Sequence, residues 1–262
     1  MIDPDKLNCV ITGRFEFLHK QNLAWIFKAK ECCDNNAVLI QLLPGKQSWF
    51  LRDEKIRIAY LKTFSLNLFP VKYQKTQKQD TVRLPDQNEL EVILETEISK
   101  RLNSKIFPSY DSLLPFLETL SGKRIVTTNG CFDILHPGHI ALLKSSALKG
   151  DCLVVLINSD DSVRRFKSPE RPIHDEKFRA LVLSLLPFID YVLIFNNDTP
   201  LKDMASIRPK IHVKGGSFIE ERVSSERKLV ESWGGELVTV PMLKDYSTSN
   251  ILKCYRDRTY FP

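Results

Sequence analysis

The stretch that most restricts how this chain can fold is Thr127 to His139, TTNGCFDILHPGH. The short run Arg124-Ile125-Val126 leads into it, and Ile140-Ala141-Leu142-Leu143 opens a helical pattern behind it. A strand therefore passes through a loop holding Gly130, His136, Gly138 and His139 into a helix N-terminus. Main-chain N–H groups and the helix dipole converge on an anion in that geometry, usually a phosphate. Two of the chain's five histidines stand three residues apart here, and Gly138 between them lets the main chain come close to a ligand.

Bulk properties leave room for this reading. A chain of 262 residues holds one large domain or two small ones, and 43% hydrophobic with 27% charged residues is ordinary for a globular protein. A net charge of +6 favours anionic small molecules without requiring nucleic acid. The six cysteines form no CxxC pair and no repeated metal-ligand spacing, so neither zinc nor a disulfide framework is expected, and adjacent Cys32-Cys33 suit a reducing compartment. MIDPDKLN does not read as a signal peptide, and Ala180 to Phe195, the most apolar window, is broken by Pro187 and Asp190. A cytoplasmic protein without membrane insertion is expected.

One unit is written twice. Gly13, Phe15, Glu16, Leu18 and His19 fall in frame on Gly130, Phe132, Asp133, Leu135 and His136, and Asp53 to Arg57 matches Asp175 to Arg179. Two matched segments in the same order indicate an internal duplication. The copies part where a phosphate would sit, since Gly138 corresponds to Gln21 and His139 to Asn22. The first copy thus reads as a unit that has lost its phosphate cradle. The expected organisation is a degenerate domain at 1–103, a linker with a short helix at 104–122, and a complete domain at 123–262.

Periodicity places helices in the first copy at Leu23–Cys33, Glu54–Phe64 and Asn88–Leu102, with strands at Ala37–Leu43 and around Phe69–Tyr73. Leu113–Leu120 is the short helix of the linker. In the second copy strands are expected at 124–128, 152–157, 191–195, 211–214 and 236–240, and helices at 139–149, 175–186, 200–206, 223–233 and 248–257. Such alternation gives a Rossmann-like α/β fold, a doubly wound parallel sheet, twice in tandem with the first copy degenerate. Ligands of these sheets lie beyond the carboxyl ends of the strands, where strand order reverses, and the loop 128–139 belongs there.

Other residues gather around that expectation. Imidazolium groups at His136 and His139 would donate hydrogen bonds to phosphoryl oxygens. Lys167 and Arg171 lie in RRFKSPERP, read as a basic loop able to cover a phosphate site, and Arg179 sits in the helix that follows. Lys214-Gly215-Gly216 and Asn158-Ser159-Asp160 each end a strand, and Ser247-Thr248-Ser249 opens a second hydroxyl-rich helix start. There is no GxxxxGK[ST] and no GxGxxG.

With these residues in place, the second copy resembles the nucleotidyltransferase superfamily marked by an HxGH motif. Within it, roughly residues 112–255 are most similar to the D-glycero-β-D-manno-heptose 1-phosphate adenylyltransferases, one half of bifunctional ADP-heptose synthases. The resemblance rests on TNGCFDILHPGH, VLINSDDSVRRFK, RPI with Arg179, DYVLIFNNDTP, VKGGSF and STSNI. It implies attack by a sugar phosphate oxygen on the α-phosphorus of ATP (or CTP), release of pyrophosphate, and assistance by Mg²⁺. It implies catalytic roles for His136, His139 and Lys167. Nucleotide contacts would come from Asn129, Gly130, Cys131, Phe132, Gly138, Asn158, Asp160, Arg179, Lys214, Gly215, Gly216, Ser247, Thr248 and Ser249, with Asp133 and Arg171 toward the acceptor. No metal-ligating side chain is implied.

The RTxGIST signature of the related cytidylyltransferases is replaced by Met242 to Ser249, MLKDYSTS, which favours a heptose acceptor, feeding lipopolysaccharide or another heptose glycan, over a polyol phosphate. Two other readings stay open, a cytidylyltransferase of glycerol 3-phosphate or a related alcohol phosphate, and a nucleotide-binding regulator without turnover. Packing of the copies within one chain or exchange in a homodimer is also left open.

Overall fold

Cys152–Asn158 is apolar almost throughout because both faces of that strand are covered, and all seven residues are buried. It lies inside a six-stranded sheet, seen in a computed structural model that describes residues 9–13, 20, 23, 24, 27, 38–42, 87–216, 220–241, 248 and 249. The chain divides into two compact units, Met1–Ser99 with Ser249–Pro262, and Lys100–Thr248.

In the first unit, strand β1 (Cys9–Gly13) pairs in parallel with β2 (Val38–Leu42), and helix α1 spans Gln87–Ser99. Residues 23, 24 and 27 are helical, within the first helix expected, and Ile93, Leu94 and Ile98 of α1 are buried. The expected helix at 54–64 and strand at 69–73, together with Gln21 and Asn22, lie outside the described residues.

The second unit contains β3 (Ile106–Phe107), α2 (Tyr110–Glu118), β4 (Ile125–Gly130), α3 (Pro137–Ala147), β5 (Cys152–Asn158), α4 (Asp160–Phe166), α5 (Glu176–Ser184), β6 (Tyr191–Phe195), α6 (Leu201–Ile207), β7 (Ile211–Gly215), α7 (Glu220–Glu231) and β8 (Glu236–Val240). All its strands are parallel, in the order β3-β6-β5-β4-β7-β8. From β4 the chain builds outward through β5 and β6, then crosses back to lay β7 and β8 on the other side. The crevice between the carboxyl ends of β4 and β7 is thus the point where strand order reverses.

Two departures from the sequence expectation concern short elements. Ile106 and Phe107, in the segment expected to be a linker, form a strand paired with β6, and Phe107 is fully buried beside Leu113 and Leu117 of α2. Phe107 also meets Phe116 and Tyr191 edge-on, with ring centroids 5.0 and 5.6 Å away. The second departure is α4, which occupies part of the stretch read as a basic loop. Ser159 caps it by accepting the Ser162 N–H, acidic Asp160 and Asp161 stand in its first turn, and Arg164 and Arg165 stand in its last. Only Ser162 and Val163 of this helix are buried, so no apolar period marks it.

One polar pair sits deep in the sheet. Thr127 of β4 and His212 of β7 are register partners, both fully buried, with Thr127 Oγ1 2.8 Å from His212 Nδ1. His212 Nε2 has no hydrogen-bond partner among the described residues. Burial, reinforced by the Lys214 charge, pushes its pKa down to about 3, so it is neutral in the folded protein.

Candidate active site

The loop after β4 is held in a shape that a glycine makes possible. A Cβ on Gly130 would lie 3.1 Å from the Phe132 ring, and Phe132 itself adopts φ +47°. A phenylalanine in the left-handed region carries local strain, maintained here by burial. Its ring lies against His139, centroids 5.1 Å apart, and His139 stacks on His136 at 3.7 Å with 20° between the planes.

His136 caps α3. Its Nδ1 accepts the His139 N–H at 3.3 Å, and Pro137 occupies the first helical position, where no N–H is needed. The His136 carbonyl accepts the Ile140 N–H. With Nδ1 an acceptor, the neutral ring carries its proton on Nε2 and can offer it to a ligand. Burial pushes the His136 pKa down to about 4. Burial also holds His139 well below the usual histidine range; the nearby His136 adds to this and the Ile134 carbonyl opposes it. Both rings are therefore neutral near pH 7 in the ligand-free protein, where the sequence suggests imidazolium donors once phosphate is bound. An arriving polyanion opposes the effect of burial and raises both values.

kcat/KM, which reports groups of the free enzyme, is expected to show no descending histidine limb between pH 6 and 8. A requirement for imidazolium would instead cost about tenfold per pH unit above roughly 6.5. Stability has its own sign. The unfolded chain protonates these histidines below about pH 6.5, whereas folded His136 and His212 do so only near 4 and 3. Their contribution is therefore complete above pH 6.5 and is lost as pH falls through that window. Urea midpoints at pH 7 and pH 5 check it.

Asp133 anchors the loop that follows α4. Its side chain has no solvent exposure, and its carboxylate accepts the main-chain N–H groups of Ile173 and His174 at 2.8 and 3.0 Å and the Arg171 Nε–H. The two residues expected to reach the acceptor are thus paired with each other. Arg179, also fully buried, donates to the carbonyls of Cys131 at 2.7 Å and His174 at 2.9 Å and pairs with the Asp160 carboxylate at 2.7 Å. It ties the loop after β4 to the start of α4 and the start of α5. Asp133, expected toward the acceptor, and Arg179, expected at the nucleotide, are both buried and hold other parts in place.

The remaining residues divide by location. Asn158 is buried, with its amide donating to Ser162 Oγ and its carbonyl oxygen accepting the Cys131 thiol at 3.8 Å. Glu176 accepts the Asp160 N–H at 2.7 Å. Lys167 is exposed at the C-terminus of α4, its ammonium 4.4 Å from the Phe166 ring centroid. Burial raises the Cys131 pKa against the opposing charges of Lys167, Arg179 and Arg171, which places three cations within electrostatic reach of the loop. Across the crevice, Lys214 donates to Asn129 Oδ1 at 2.9 Å and to Glu226 at 2.8 Å. Gly216 beyond it has φ +132° and open space where a Cβ would go. Ser247 lies outside the described residues; Thr248 and Ser249 are helical, half-buried and exposed respectively. The partners Glu176 and Glu226 went unnoticed in the sequence, where nothing sets them apart from other helical glutamates.

Among the described residues no group of three or more His, Cys, Asp or Glu side chains could hold a metal ion. The carboxylates at the loop, Asp133 and Asp160, are each committed to an arginine. No helix among the described residues is long and apolar enough to cross a membrane.

A parallel α/β sheet with an HxGH helix start at its switch point defines a class, and the comparisons agree with it. Residues 127–253 match the family model described as cytidylyltransferase-like. Among curated proteins it is similar to the bifunctional protein HldE of Pelobacter propionicus, 48% identical over 141 residues, or 54% of this chain and 29% of the relative. The bifunctional protein HldE of Syntrophotalea carbinolica is 43% identical over 158 residues, 57% of this chain and 32% of the relative. The chain thus spans about a third or less of the length of these relatives. A solved structure, the lipopolysaccharide core biosynthesis protein from Thermoplasma volcanium, is 30% identical with a TM-score of 0.39, covering 48% of this chain and 100% of that one.

Proposed function

We propose that the second unit transfers AMP from ATP to a sugar 1-phosphate, D-glycero-β-D-manno-heptose 1-phosphate, releasing pyrophosphate and giving ADP-heptose. The observation that carries the reading is the neutral, stacked His136–His139 pair at the N-terminus of α3, set at the switch point of the sheet. The 43–48% identity to HldE proteins over this half supports the choice of acceptor.

In this reading His136 Nε2–H and the N-terminus of α3 receive the triphosphate, and their stabilisation grows as charge moves onto the departing pyrophosphate. The buried Nδ1 of His139, which has no hydrogen-bond partner among the described residues, can take one from an arriving ligand. Lys167 neutralises the phosphates from the exposed end of α4, while Lys214 meets the nucleotide across the crevice. Ser247, Thr248 and Ser249 keep the phosphate-tail role that the resemblance implies. The committed carboxylates leave no preformed cage, so Mg²⁺ fits as an ion carried in on the triphosphate, where it would screen phosphate charge. The first copy, whose sequence has Gln21 and Asn22 in place of Gly138 and His139, is a degenerate unit that binds no triphosphate, and pairing of two chains through it is one arrangement open to it.

The cytidylyltransferase-like family description favours CTP as the nucleotide, and so a second reading, a cytidylyltransferase of glycerol 3-phosphate or a related alcohol phosphate. Pyrophosphate release from ATP and from CTP, each with heptose 1-phosphate and a panel of polyol phosphates, separates them. Release with ATP and heptose 1-phosphate is expected. Release only with CTP and glycerol 3-phosphate would replace the acceptor and the base, and no release with any pair would make the chain a regulator.

A further inference from the structure

Side chains on β4 and β7 alternate between faces, which puts Thr127 and Asn129 beside His212 and Lys214 on one side of the sheet. Two polar rungs result, Thr127–His212 at 2.8 Å in the interior and Asn129–Lys214 at 2.9 Å toward the carboxyl ends. Helix α7 packs on β7 and β8, and from it Glu226 closes on the upper rung, its carboxylate 2.8 Å from the Lys214 ammonium. The ion pair is largely buried, with side-chain exposures of 20% for Lys214 and 10% for Glu226. A lysine ammonium is a point charge on a flexible stem with three donors. Here two donors are spent, on Asn129 and on Glu226, and the third has no acceptor among the described residues.

We infer that Glu226 is a positioning residue for the nucleotide side of the crevice, holding the Lys214 ammonium against Asn129 so that its remaining N–H meets the bound nucleotide. The inference rests on the nucleotidyltransferase reading of the site. The carboxylate lowers the net positive charge of the crevice, so its benefit is geometric: a fixed donor loses less freedom on binding than a mobile one. Glu226 must also stay matched to Lys214, because an unpaired carboxylate there would repel a triphosphate.

Titration calorimetry of ATP and of CTP into the whole chain tests this without depending on turnover, with thermal denaturation run beside it. Glu226→Gln, nearly isosteric, is expected to weaken binding of the preferred nucleotide about tenfold, with the melting temperature changed by only a few degrees; Glu226→Asp should fall between it and the wild type. Lys214→Met should weaken binding more than the double variant Lys214→Met/Glu226→Gln does, because the single change leaves the carboxylate uncompensated. Wild-type affinity in folded Glu226→Gln, or losses that multiply in the double variant, would overturn the inference while leaving the nucleotidyltransferase reading intact. Failure of the wild-type chain to bind either nucleotide would overturn both.

Discussion

Replacing His139 by asparagine is expected to lower kcat at least about a hundredfold, roughly 2.7 kcal/mol of transition-state stabilisation, without unfolding the protein. The same residue type stands at Asn22, the matching position of the first copy. Structure explains why fold and activity separate here. The His139 side chain gives the fold a stacking contact with His136 and a tilted contact with Phe132, while its buried Nδ1 has no partner among the described residues. The cap on α3 uses the His139 main-chain N–H, which asparagine retains. Steady-state pyrophosphate release and circular dichroism melts measure the two quantities separately. Activity within tenfold of wild type, a loss under about 1.4 kcal/mol, would remove His139 from the chemistry.

Arg179→Met should act the opposite way, through stability first. Methionine fills much of the arginine volume, yet it leaves the Asp160 carboxylate and the carbonyls of Cys131 and His174 without their donor. Breaking a buried ion pair from one side costs about 3–5 kcal/mol, which a urea titration would register as a large fall in midpoint. Lysine should recover only part, since one ammonium does not reproduce a fork that reaches three acceptors in different directions. Should Arg179→Met keep the wild-type midpoint and lose only nucleotide affinity, the direct contact suggested by the sequence would be restored.

These two residues also mark what could be read in advance. The strands of the second unit are short, rich in β-branched and apolar residues and bounded by polar turns, so Ile125–Gly130, Cys152–Asn158, Tyr191–Phe195, Ile211–Gly215 and Glu236–Val240 fall within two residues of expectation. The shape of the histidine loop is legible because it depends on local spacing, two histidines three residues apart before a helix. Helix α4 was not, since its signals are capping and end charges without an apolar stripe. The burial of Asp133 and Arg179 is hidden for a different reason. Their partners lie 38–41 and up to 48 residues away in sequence, and a charged residue shows no sign of burial until the chain is folded. The neutral state of His136 was hidden likewise, being a property of its surroundings.

The strand at Ile106–Phe107 bears on how this unit could be moved between proteins. A cut made at residue 123, just ahead of the recognisable motifs, would strip the outer neighbour from β6 and empty the space filled by Phe107, Leu113 and Leu117. The transplantable cassette therefore begins near Lys100, where the second compact unit begins, and carries a leader of some twenty residues that no catalytic motif announces. Any splice that fuses such a unit to another partner has to respect that leader, which makes the seam, and not the signature, the stricter constraint on recombination.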